Sequence, residues 1–217
     1  MLAQKPAMTI WILATLVAVA LLVVAEARGA RSGVWIWKPL ASTGFVAVAL
    51  AAGATGSTYG RLVLLALVLS WWGDVLLIPQ RRATFAAGLA SFLAGHLAFA
   101  AGFLARGVAP LWLLAAALLL IAPATAVDRW LQPYVPAQLR VPVRAYFAAI
   151  SAMVACAYGT YGLAGGRMLL LGAVLFLLSD LSVARDRFVA PGFVNRLWGL
   201  PLYYGGQLLL AVSVAPL

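Results

Sequence analysis

The chain reads as eight apolar runs separated by short polar joints, at roughly 8–25, 38–54, 61–79, 84–105, 109–126, 143–162, 167–184 and 198–215. Runs of this length match the roughly 20 residues that a helix needs to cross about 30 Å of hydrocarbon. Lipid admits only helices and closed barrels, because every backbone polar group must be satisfied inside the structure. No stretch alternates with period two, which removes the barrel. The expected fold is therefore all-α, a polytopic membrane bundle of eight transmembrane helices forming one integral membrane domain over residues 1–217. The longest joint, between the fifth and sixth runs, carries Pro133, Pro136 and Pro142. Lys5, an apolar run and Ala25-Glu26-Ala27 have the pattern of a cleavable signal peptide. That segment is read here as the first transmembrane helix.

Composition agrees with a lipid solvent: 65% of residues are hydrophobic and 9% charged, too little polar surface for a soluble domain of this size. The net charge of +10 changes the picture only through its placement. Lys5, Arg61, Arg106 and Arg167 fall at one face. Arg28, Arg31, Lys38, Arg81, Arg82, Arg129, Arg140, Arg144, Arg185, Arg187 and Arg196 fall at the other, so the bias is four against eleven. The positive-inside rule puts the eleven in the cytoplasm and both termini outside. Richness in Ala, Leu and Arg suggests a bacterial inner membrane. There is no basic patch with interleaved aromatics, so nucleic acid is not an expected partner. One cysteine, Cys156, excludes an intrachain disulfide, and with a single histidine it argues against a metal site. No cofactor is expected.

An internal echo recurs at a spacing of 106 residues. Positions 48–74 and 154–180 share twelve ungapped identities in twenty-seven, including Gly60-Arg61 with Gly166-Arg167 and Asp74 with Asp180. Lys38 and Arg144 fall in the same frame, as do Arg81 and Arg187. This pattern suggests a parallel tandem repeat of four helices, approximately 1–106 and 107–217.

Five acids exist in the chain, and Glu26, Asp128 and Asp186 sit in expected joints. Asp74 and Asp180 do not. Each lies thirteen residues past a boundary arginine, about 20 Å along a helix, at one depth on two equivalent spans. A carboxylate in a membrane costs about 2.5–3.5 kcal/mol on insertion scales and is functional by default. A neutral Asp bonding a neighbouring helix is the structural alternative. Two carboxyls in one low-dielectric pocket split their protonation, giving a general acid beside an anion. Ser70 lies one turn before Asp74, and Tyr203 and Gln207 lie one turn apart near the aspartates' expected level. His96 is a candidate base or a buried structural histidine. Lys38 opens the second apolar run, with Ser42 one turn in. A snorkelling lysine is the alternative, but with Arg144 and Arg187 it suggests a phosphate seat. Tyr146 completes the candidate substrate contacts. The tryptophans fit an aromatic belt. There is no nucleophile elbow, HExxH, Walker loop or dinucleotide fingerprint, so an enzyme of this sequence needs acids rather than a nucleophilic serine or a metal.

Several blocks together resemble a known family. Ser70-Trp71-Trp72-Gly73-Asp74-Val75-Leu76-Leu77 resembles the S-x-x-G-D-x-x-L block of the YhhN family of membrane lysoplasmalogenases. Gly88-x3-Phe92-x3-His96 is similar to the block that follows it. Gly172-Ala173-x2-Phe176-x2-Ser179-Asp180 with Arg187-Phe188 resembles the second aspartate block, and Lys38-Pro39 and Tyr203-x3-Gln207 fit as well. The resemblance covers about residues 35–210; Arg185-Asp186-Arg187 is more charged than the family pattern. It implies hydrolysis of the vinyl ether bond of lysoplasmalogens, a lysophospholipid substrate, to a fatty aldehyde and glycerophosphocholine or glycerophosphoethanolamine. A proton-coupled transporter shares the repeat and the carboxylates, and a non-catalytic lipid-binding protein is a third reading.

Overall fold

The computed structural model describes residues 4–79 and 81–215, with the side chains of Gln4 and Lys5 outside the described set. The outer-face charge assigned to Lys5 therefore lies outside the described residues. Eight long helices follow in order: α1 Gln4–Ala27, α2 Arg31–Ala51, α3 Thr58–Leu77, α4 Arg82–Arg106, α5 Pro110–Leu131, α6 Arg140–Ala164, α7 Arg167–Ala184 and α8 Phe193–Val212. No strand occurs among the described residues. Seven of the helices are long and apolar enough to cross a membrane; α8 falls short because it carries Asn195, Arg196, Tyr203, Tyr204 and Gln207.

The helices start and stop where the chain chemistry allows. Gly53, at φ 88°, ends α2 through a residue that only glycine adopts without strain, and the Ser57 side chain then caps α3 by accepting from Gly60 N at 3.0 Å. The glycines at 53, 56 and 60 thus mark a helix junction rather than a break within a span. Gly165 and Gly166, both at positive φ, make the equivalent joint before α7.

α2 begins seven residues earlier than its apolar run suggests, so Lys38 sits two turns inside the helix and does not open it. Hydropathy misses this start because Arg31, Ser32 and Gly33 lower the average, while the hydrogen-bonded backbone continues through them.

Six helices close a ring in the order α2, α3, α4, α6, α7, α8 and back to α2. α1 packs outside against α2 and α8, and α5 lies outside against α6. α5 buries only Ala116 and Leu131 and exposes Leu111, Leu114, Leu118 and Leu119, as suits a helix facing lipid. One hydrophobic core fills the ring, with Phe45, Phe99, Phe103, Phe176, Met153 and Leu210 fully enclosed. α7 and α8 approach closely at Gly172 and Gly206: a methyl on either would lie 2.9 Å from the other's carbonyl oxygen. Small residues at crossings are the usual means by which helices pack in lipid.

Candidate active site

Asp74 and Asp180 each lie about one turn from the C-terminal end of their helix, α3 and α7, where the helix dipole disfavours an anion. Both are buried, at 2% and 7% exposure, and both line one cavity of about 630 Å³. Each must therefore find its partners on other helices.

Asp74 finds four. Lys38 Nζ stands 3.4 Å from Oδ1. The Ser42 hydroxyl lies 2.7 Å from Oδ2, and Tyr203 donates to the same oxygen at 2.7 Å. Lys38 and Ser42 are one turn apart on α2, so one helix face delivers both. Tyr204 lies 3.1 Å from the Ser42 hydroxyl and donates to the Lys38 carbonyl at 3.3 Å. This second tyrosine braces the pair from behind.

Asp180 has a different shell. Tyr146 on α6 donates to Oδ2 at 2.8 Å. His96 on α4 is fully buried with Nε2 at 3.6 Å from the same oxygen, outside hydrogen-bond range. Its ring stands edge-on to Tyr146 and tilts against Phe176. No lysine or arginine pairs with Asp180 among the described residues. Both carboxyls face the same cavity from different helices.

The remaining candidates divide. Arg187 lines the cavity, with its guanidinium 4.2 Å over the Phe85 ring. Gln207 is fully buried beside the Tyr203 hydroxyl, without a hydrogen bond of ordinary geometry. Ser70 is corrected: it turns away from the cavity and donates to the Ala66 carbonyl of its own helix at 2.9 Å. Arg144 is also corrected. It is exposed at the bundle's edge, where both its Nε and Nη2 donate to Asp128, at 3.0 and 3.2 Å. Asp128 is the nearest acid because α5 runs one turn further than its apolar run suggests, which carries that residue into the helix. The proposed face of Lys38, Arg144 and Arg187 therefore does not converge.

Sequence reasoning missed the residues at the cavity's outer end. Glu26, Arg31, Asp186, Asn195 and Arg196 all line it. Arg196 bridges Glu26 at 3.0 Å and Asp186 at 3.2 Å, tying α1 to α8 and to the π-helical turn Arg185–Val189 that follows α7. Such turns recur at functional sites. The only signal for them in sequence was the unusual charge of Arg185-Asp186-Arg187. No group of three His, Cys, Asp or Glu residues comes together among the described residues.

Comparison with curated proteins and with solved structures finds no match. The model of the YhhN family matches residues 33–214, which contain both aspartates and every residue that surrounds them. The chain is thus a member of the YhhN family.

Proposed function

We propose that the protein is a lysoplasmalogenase that hydrolyses the vinyl ether bond of a lysophospholipid, with Asp180 as general acid and Asp74 as the anion that faces the developing cation. The observation that carries this reading is the unlike partnering of two buried carboxyls on one cavity. Asp74 has an ammonium and two hydroxyls; Asp180 has one hydroxyl and no cation. In a low-dielectric site the negative charge belongs beside the ammonium and the proton on the carboxyl that lacks one.

Vinyl ether cleavage uses such a pair. Asp180 gives its proton to the outer alkene carbon, and the electron pair of the double bond forms the new C–H bond. The inner carbon becomes an oxocarbenium ion stabilised by Asp74. Water adds to that carbon and loses a proton to a carboxylate. The hemiacetal then collapses, breaking the bond to the glycerol oxygen, which takes up a proton. The products are a fatty aldehyde and a glycerophospho-alcohol. Glycosidases divide labour between two carboxyls across an oxocarbenium-like transition state in the same way. Tyr146 orients Asp180, while Lys38, Ser42 and Tyr203 hold Asp74. The cavity of about 630 Å³ lies within the range of small-molecule sites.

The test is aldehyde release from lysoplasmalogen by detergent-purified protein. Release is expected from the wild type and not from the corresponding alkyl ether, which has no alkene to protonate. A purified, monodisperse protein that releases none would refute the hydrolase reading and favour carriage of a lipid or proton.

A further inference from the structure

The cavity runs outward from the aspartates to a mouth on the arginine-rich face, and its charges sort unevenly. Four acids line it, Glu26, Asp74, Asp180 and Asp186, with four cations, Arg31, Lys38, Arg187 and Arg196. Lys38 is engaged by Asp74. Arg196 is engaged by Glu26 and Asp186 together. Asp186 also accepts from Gly192 N at 2.8 Å and from Asn195 Nδ2 at 3.1 Å. Arg31 and Arg187 have no carboxylate partner among the described residues.

Both free arginines are placed for a ligand. The Arg187 guanidinium lies over the Phe85 ring at 4.2 Å, and its N–H groups make no hydrogen bond to another side chain or to the backbone among the described residues. Arg31 is the first residue of α2, and no side chain caps that helix. The unpaired amides and positive dipole end of α2 therefore border the mouth beside Arg31, where Gly29, Val34 and Trp35 also line the cavity. With the mechanistic proton on Asp180, four positive charges face three negative ones. The excess of one is the charge that a phosphodiester neutralises. Arg31 and Lys38 are seven residues apart on α2, about 10 Å of helix rise. The extended chain from phosphorus through the glycerol to the outer alkene carbon covers most of that rise.

We propose that Arg31 and Arg187, with the uncapped first turn of α2, form an anion seat at the cavity mouth that takes the phosphate ester of a lysophospholipid headgroup. Lys38 belongs to the catalytic pair instead. The identity of the phosphate ester as substrate rests on the hydrolase reading, whereas the seat itself does not.

The experiment measures binding of a short-chain alkyl lysophospholipid, which has no vinyl ether, to the full chain in detergent by calorimetry. Arg31→Gln and Arg187→Gln should each weaken binding about tenfold or more, as loss of a charge-assisted contact does. Arg129→Gln, on the same face but outside the cavity, should not. An alkylglycerol without phosphate should bind all variants alike. Inorganic phosphate should compete weakly, and the lipid tail should raise affinity well above it. On lysoplasmalogen the two arginine variants should raise KM and spare kcat, and Arg→Lys should restore part of the affinity. Unaltered lysophospholipid binding in a folded double variant would overturn the seat, as would equal losses for the alkylglycerol. Phosphate binding as tight without a tail as with one would overturn the lipid assignment. Arginine-dependent binding in a wild type that releases no aldehyde would support the seat while refuting the hydrolase.

Discussion

At the residue scale the two aspartates differ only in what surrounds them, and that difference sets what each does. Asp74→Asn and Asp180→Asn are each expected to lower vinyl ether hydrolysis by at least about a hundredfold, the lower range for a positioned acid or base. Asparagine keeps the size and a hydrogen bond but neither donates the proton nor carries the charge. Folded variants with full activity would end the two-carboxyl mechanism. The rate–pH profile should be a bell: activity falls on the acid side as Asp74 takes a proton, and on the alkaline side as Asp180 loses one. Its limbs report the pair as a unit. Lys38→Met should act mainly on kcat, because Lys38 touches Asp74 at 3.4 Å rather than waiting for the phosphate. A change confined to KM would return Lys38 to the phosphate.

At the element scale the site depends on where helices meet. Pairing Asp74 needs α2 and α8 beside α3, and pairing Asp180 needs α6 beside α7. The α7–α8 crossing sets the height of Tyr203 and depends on Gly172 and Gly206. A side chain at 206 would meet the Gly172 carbonyl at 2.9 Å and the Phe176 amide nitrogen at 3.1 Å. Gly206→Val should therefore destabilise the bundle by about 1–3 kcal/mol, the usual cost of overpacking. Thermal unfolding in detergent measures it, and an unchanged melting point would show that the crossing relaxes freely. Gly73 works similarly: a methyl there would come within 2.6 Å of two Phe92 ring carbons, so this glycine lets α4 lie close behind Asp74.

At the scale of the whole molecule the ring is closed at one end and hollow at the other. At the closed end Arg106 donates to the Ser213 carbonyl at 2.9 Å and lies over the Tyr59 ring, joining α3, α4 and the end of α8. At the hollow end lie the cavity mouth and most of the arginines. The four-against-eleven charge bias predicts that this mouth faces the cytoplasm and that both termini lie outside. Cysteines introduced at the termini, in a chain whose buried Cys156 is replaced, should react with an impermeant reagent added from outside. Reaction only from the cytoplasmic side would invert the orientation.

The sequence alone determined the helical bundle, because runs of that length have no other solution in lipid. It also determined the pair Asp74 and Asp180, because an acid inside such a run is rare enough to stand out. The tandem repeat is still a proposal, but ring neighbours fall in corresponding places, with α2 beside α3 and α6 beside α7. Tertiary structure decided which cations serve the site. Lys38 and Arg144 share a frame 106 residues apart, yet one turns inward to Asp74 and the other outward to Asp128. Periodicity along one helix does not say which neighbour presents a carboxylate, and the nearest carboxylate captures the charge. Arg31 lay hidden for the converse reason. It sits in the polar margin of a run, and only the packing of α2 beside α8 makes that margin part of the wall of a cavity.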